Sequence, residues 1–178
     1  MHRRVALLGS NNVGGNRLKM AELVAALEKH DFENVETVVA SGNVLFDHPE
    51  PSSEGVADLI AKVVESEFGI ATFAVVRTRA ELELALEENP FAGDGEDKLV
   101  HVHFLTGQPS RQQFDTLGDD LKGSGDEKVS AGTRALHINY VSGVGRSKLT
   151  GPFIERRLGC KGTGRNIRSL TRIIEKFP

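Results

Sequence analysis

The order in which hydrophobic periodicity changes along the first 77 residues constrains the fold more than any other feature. Arg4 to Leu8 reads as a strand and runs into the polar loop Gly9-Ser-Asn-Asn-Val-Gly-Gly-Asn16. A helix is expected from Leu18 to His30, because Met20, Leu23, Val24 and Leu27 recur at helical spacing. Val35 to Ala40 and Val44 to Phe46 are short β-rich runs. Ser41-Gly42-Asn43 lies between them and reads as a hairpin turn, since Gly and Asn tolerate positive φ. A second helix, Glu54 to Phe68, carries Val56, Leu59, Ile60, Val63, Val64 and Phe68 on one side and stops at Gly69. Thr72 to Arg77 supplies a fourth strand. Strand, helix, strand, strand, helix, strand is the split βαβ, or ferredoxin-like, order, with two helices on one face of an antiparallel sheet.

The pattern then starts again. A connecting helix, Arg79 to Glu88, ends at Asn89-Pro90-Phe91, and Gly93-Asp-Gly-Glu-Asp97 forms an acidic loop. Leu99 to Leu105 reads as a strand, Ser110 to Leu121 as a helix, and Val129 and Ala135 to Val141 mark two further strands. Pro152 to Leu158 is a helix opened by proline. In place of a fourth strand, a last helix is expected from Asn166 to Lys176. The expected fold class is α+β: two ferredoxin-like (split βαβ) subdomains with antiparallel sheets plus C-terminal helices. The expected organisation is a first subdomain over 1–77, a connecting helix and acidic loop over 78–98, and a second subdomain over 99–178.

Composition narrows the function classes. At 178 residues, with 39% hydrophobic and 26% charged residues, the chain is long enough for a sizeable core and has no bias toward disorder. Cys160 is the single cysteine, so no internal disulfide forms. No apolar run approaches the roughly 20 residues of a membrane span. The start Met1-His-Arg-Arg-Val5 lacks a leader pattern, and a cytoplasmic location away from membranes is expected. Net charge is −3, but it is segregated. Between Arg146 and Lys176 nine Lys or Arg face Glu155 and Glu175, a local +7 that leaves −10 on the rest. Such segregation attracts anionic ligands to an acidic protein.

Two basic, glycine-bounded turns stand out within that segment, Gly145-Arg-Ser-Lys-Leu-Thr150 and Gly162-Thr-Gly-Arg-Asn166. Arg offers a bidentate fork, Ser a hydroxyl and Lys a point charge, a set suited to phosphate or carboxylate. The expected anion-binding residues are Arg146, Ser147, Lys148, Thr163, Arg165 and Asn166. The ordinary alternative is a pair of polar loops with solvated charges. On the last helix Arg165, Arg168, Arg172 and Lys176 share a face opposite Ile167, Leu170, Ile173, Ile174 and Phe177. A basic stripe of that kind also suits a nucleic-acid backbone, although one Tyr and no Trp leave few stacking platforms.

The loop before the first helix is a secondary polar candidate through Asn12, Gly14, Gly15 and Lys19. It lacks the Gly-Lys-Ser/Thr of a P-loop and the G-x-G-x-x-G of a dinucleotide fold, and the later hairpin argues against a parallel sheet. A turn rich in Gly and Asn for backbone reasons is the plainer account. Cys160 has positive neighbours that favour a thiolate, but a small residue at a helix end is the commoner role. His101 and His103 share a strand face, with His137 on a neighbouring strand, yet no cysteine or carboxylate at motif spacing joins them and no metal is expected. No cofactor is implied either.

Several of these stretches carry a family resemblance. Ala6-Leu-Leu8 with Asn12-Val-Gly-Gly15, Lys19-Met20, Ser41-Gly-Asn-Val44, Asn89-Pro-Phe91, Gly145-Arg-Ser-Lys-Leu-Thr150 and Gly162-Thr163 with Arg165-Asn166 resemble the domain-of-unknown-function 1697 family, in the same order over nearly the whole chain. The resemblance implies a small bacterial protein of two ferredoxin-like parts, and it supplies no function. Family members tend to have Arg-Gly-Ile where this chain has Gly9-Ser10-Asn11, and Trp-Asn-Thr where it has Ile167-Arg168-Ser169. The first departure weakens the first loop as an anion site and the second strengthens the last helix.

Three readings remain open from sequence: an anion-binding protein, a small transferase or hydrolase using Lys148 in the same pocket, and an RNA- or DNA-binding module. Oligomeric state and ligand identity are not written in the residues.

Overall fold

The computed structural model describes residues 1–9, 18–39 and 42–178, which form two units: Met1–Leu82 with Arg172–Pro178, and Glu83–Thr171. In the first unit β1 (His2–Leu8), α1 (Met20–Glu28), β2 (Glu33–Thr37), β3 (Asn43–His48), α2 (Ser53–Phe68) and β4 (Ala74–Arg77) follow in turn. The strands lie side by side as β2-β3-β1-β4, every neighbouring pair antiparallel. Ala6 stands opposite Val44 on one side and Val76 on the other, so these side chains share a face. That face packs on Leu23 and Leu27 of α1 and on Ile60 and Val64 of α2, all buried.

Local chemistry explains where α2 starts and stops. Ser52 accepts the Gly55 amide at 3.0 Å, and Gly69 adopts a left-handed conformation at φ 65. The expected hairpin is present, because β2 and β3 pair through Glu36 with Leu45 and Thr37 with Val44. Its first strand starts two residues earlier than the apolar run indicated, with a register shift between Glu33 and Glu36. Residues 40–41, and with them part of the expected turn, lie outside the described residues, as does 10–17 of the first polar loop.

The second unit repeats the topology. α3 (Arg79–Glu88) enters it at Glu83, and β5 (Val100–Leu105), α4 (Arg111–Leu121), β6 (Lys128–Gly132), β7 (Ala135–Asn139), α5 (Gly151–Leu158) and β8 (Gly162–Asn166) follow before α6 (Ile167–Lys176). Strand order is β6-β7-β5-β8, again antiparallel throughout. Leu105, Leu136 and Ile138 form one face with Leu117 and Leu121 of α4 and Ile154 and Leu158 of α5. A reciprocal capping box between Ser110 and Gln113 fixes the start of α4.

The second pass therefore does contain a fourth strand, where sequence led us to expect none. Gly162–Asn166 is not a turn. It pairs along its length with β5, from His101 opposite Asn166 to Leu105 opposite Gly162. Its glycines belong to packing, because the His103 ring lies across them and a Cβ on Gly162 would fall 2.5 Å from His103 Cδ2.

Candidate functional site

The segment after β7 is held at several points. Val141 and Gly143 take positive φ values of 55 and 108, and the Ser147 amide donates to the Val144 carbonyl at 3.1 Å. Leu149 is buried in the core of the second unit. Thr150 then caps α5 by accepting the Phe153 amide at 3.3 Å. Between these anchors the Ser147 hydroxyl donates to Glu127 Oε1 at 2.7 Å and accepts the Leu149 amide at 3.1 Å. A serine has one hydroxyl hydrogen, so Glu127 takes the donor that a ligand would need. Arg146 and Lys148 flank it, both exposed, and neither side chain has a hydrogen bond or ion pair among the described residues.

Glu127 is a residue that sequence reasoning missed. Its Oε2 is buried without a partner, and it stands beside Tyr140, whose phenol pKa is raised first by burial and then by this carboxylate. Nothing in the local run Asp126-Glu-Lys128 marks that role, which arises from β6 lying next to β7.

The other predicted donors lie on β8. Thr163 and Arg165 point to the sheet face away from α4 and α5, as strand alternation from the buried face requires. Arg165 Nη1 donates to Thr163 Oγ1 at 2.8 Å and to the Gly164 carbonyl at 2.9 Å, and burial pulls its pKa down to about 10. Asn166 is on the opposite face and its Oδ1 accepts the Ser169 amide at 2.8 Å, so it caps α6. Glu127, which anchors Ser147, directly precedes edge strand β6, whereas β8 is the other edge with β7 and β5 between. Four strands span roughly 14 Å. Ser147 is thus tied toward one edge of the sheet, and β8, with Thr163, Arg165 and Asn166, forms the other.

Of the secondary loop, Asn12, Gly14 and Gly15 fall outside the described residues. Lys19 sits just before α1 with an exposed side chain that makes no cap bond.

The three histidines separate. His101 and His103 lie on the helix-covered face of β5, while His137 is opposite Val102 and faces the other way. Among the described residues no group of three His, Cys, Asp or Glu could hold a metal. His103 is buried beside His101 and Arg165, and burial, then those two charges, brings its pKa from 6.5 down to about 4. His137 is fully buried, its Nε2 lies 3.1 Å from Glu88 Oε1, and its Nδ1 is without a partner. Glu88 also accepts the Thr133 amide at 2.7 Å and its hydroxyl at 3.0 Å. Burial would raise the Glu88 pKa, but these bonds from Thr133 and His137 outweigh it and lower the value. This contact ties the end of α3 to the β6–β7 turn. Burial also raises the Cys160 thiol, which argues against a thiolate nucleophile there.

Comparison with known proteins bears on the whole chain. The model of the family described as "Protein of unknown function (DUF1697)" matches residues 1–137. The chain belongs to the DUF1697 family. A solved structure, the conserved bacterial protein SP0830 from Streptococcus pneumoniae, superposes with a TM-score of 0.76 at 21% identity. It covers 98% of this chain and 97% of its own. At that identity the DUF1697 chain shares its fold with SP0830, and nothing about ligands follows. No curated protein matches the chain. Among the described residues, no helix is long and apolar enough to cross a membrane.

Proposed function

We propose that this DUF1697 protein is a cytoplasmic binder of a phosphorylated or otherwise anionic small molecule, received by Arg146 and Lys148. The observation that carries the reading is the pair itself. Two cationic side chains, unengaged among the described residues, project from a backbone fixed between the Ser147–Glu127 bond and buried Leu149. A held loop lowers the ordering cost of capturing an anion, and the local charge of +7 raises its concentration nearby. Arg165 adds its charge to that field from the far edge of the sheet, where Thr163 accepts from it and Asn166 caps α6.

The test is a thermal-shift and calorimetric screen with inorganic phosphate, sulfate, sugar phosphates, nucleotides and short RNA at two salt concentrations. A ligand at 100 times its Kd adds about 2.7 kcal/mol, which is readily detected. The Arg146→Ala/Lys148→Ala double variant is expected to keep its fold and lose that shift; an unchanged affinity sinks the reading. RNA binding whose logarithm falls with log salt by about 0.7 per phosphate contacted would instead assign the surface to nucleic acid.

A catalytic variant of the reading gains one observation, since Glu127 is placed to accept the Ser147 proton. It requires turnover of a phosphate or acyl ester that disappears in both Ser147→Ala and Glu127→Gln.

A further inference from the structure

The first unit holds a cleft of about 390 Å³, near the lower end of the range for small-molecule sites. It is bounded by the residues that leave α1, by the end of β3 and by α2. Leu59 and Val63 give it an apolar wall, and Leu59 is 39% exposed, among the most exposed large apolar residues described. Lys29 and Lys62, both exposed, stand at its rim.

His48 lines the same cleft and is only 6% exposed. Its ring packs at a tilt against Phe32 with centroids 4.5 Å apart, and its Nδ1 accepts the Glu50 amide at 3.1 Å. That bond decides the tautomer. Nε2 carries the hydrogen, and no described residue accepts it.

A buried cation lies close to the His48 ring. Arg4 is 2% exposed, and its Nη2 donates to the carbonyls of Glu50 at 2.6 Å and Pro51 at 3.2 Å. The backbone of Glu50 is thereby held on both sides, its N–H by His48 and its C=O by Arg4. Arg4 has no carboxylate partner among the described residues, and its Nη1 is buried without an acceptor. Buried charges are ordinarily paired, so a guanidinium without a counter-ion leaves positive potential behind His48.

We propose that this cleft binds a small organic anion, with a carboxylate or phosphate head accepting from His48 Nε2 and held by Lys29 and Lys62, and an apolar body against Leu59 and Val63. Asp31 also lines the cleft, and His30 turns toward Glu67 at 3.4 Å. Around the cleft Lys29, Lys62 and Arg4 face Asp31 and Glu50, and of these charges Asp31 acts most strongly on the His48 ring, so the anion's head is expected on the lysine side. Burial and then Arg4 lower the His48 pKa against the opposing pull of Asp31 and Glu50. The imidazole is accordingly a neutral donor at neutral pH, and capture needs no proton uptake.

The site lies in the other unit from Arg146 and Lys148, so the two proposals fail separately. The full chain, labelled with ¹⁵N at histidine, would be titrated with inorganic phosphate, phenyl phosphate and benzoate while the His48 Nε2 signal is followed. Saturable shifts are expected, with phenyl phosphate or benzoate binding more tightly than inorganic phosphate because of the apolar wall. The tighter of those two identifies the head group. Lys62→Glu, an exposed change on α2 that spares the core, should weaken binding at least about tenfold by reversing a rim charge. Arg146→Ala/Lys148→Ala should leave it unchanged. The proposal is overturned if no probe moves the His48 signal saturably below about 10 mM, a bare few kcal/mol of affinity being less than such contacts supply. An affinity indifferent to Lys62→Glu overturns it equally.

Discussion

One hydroxyl decides how the Arg146–Lys148 loop is held. Ser147 supplies the only partner of Glu127 Oε1 among the described contacts, and the other carboxylate oxygen is already buried without one. Ser147→Ala would leave a half-buried carboxylate with no donor. A loss of about 1–3 kcal/mol is expected in urea-unfolding midpoints at constant m-value. His103 makes a second prediction at this scale. A histidine whose folded pKa is depressed binds protons more readily when unfolded. Its contribution is therefore complete above the unfolded value of 6.5 and is lost as pH falls toward its folded value of about 4. That 2.5-unit gap corresponds to up to about 3 kcal/mol, so stability should fall between pH 6.5 and 4. His103→Gln should flatten that slope; an equally steep acid limb in the variant would show that other groups control it.

At the scale of elements, β8 is held by its neighbour more than by its own preferences. Gly162-Thr-Gly-Arg-Asn166 has only one β-branched residue and two glycines, a poor strand former. It pairs with β5 because the absent side chains make room for His103. Gly162→Val improves the intrinsic strand preference, but its Cβ would lie 2.5 Å from His103 Cδ2 and 2.8 Å from the Phe104 carbonyl. Destabilisation by about 1–3 kcal/mol is expected, and a more stable variant in thermal melts would contradict the packing account. α5 offers the complementary case, in which local chemistry suffices. Thr150→Ala removes its cap and should cost about 1 kcal/mol, read as lowered amide protection across Gly151–Leu158.

At the scale of the molecule, the chain folds as two copies of one topology, β2-β3-β1-β4 and β6-β7-β5-β8, with the last residues returned to the first unit. Ile173 and Phe177, 0% and 8% exposed, are the apolar residues of that returning segment. Truncation after Thr171 removes them, at about 1.5–3 kcal/mol for each buried side chain. Hydrogen exchange should then show lost protection concentrated in 1–82, with 83–171 better retained. Equal loss in both would mean that the segment belongs to neither in particular.

The sequence by itself determined the α+β class, the repeated strand and helix order and most element boundaries, because periodicity, caps and breakers act over a few residues. The Val56, Ile60, Val63 and Val64 stripe and the Gly69 stop needed no distant partner to be read. It also showed where cationic residues concentrate, since charge can be counted along a chain. Only the tertiary structure decided that Gly162–Asn166 is a strand, that His137 turns away from His101 and His103, and that Ser147 is engaged by Glu127. It alone brought Arg4, His48 and Lys62 to one region through residues far apart in the chain. Those outcomes depend on which strand lies beside which and on which donors find acceptors after packing, and neither is carried by local propensity.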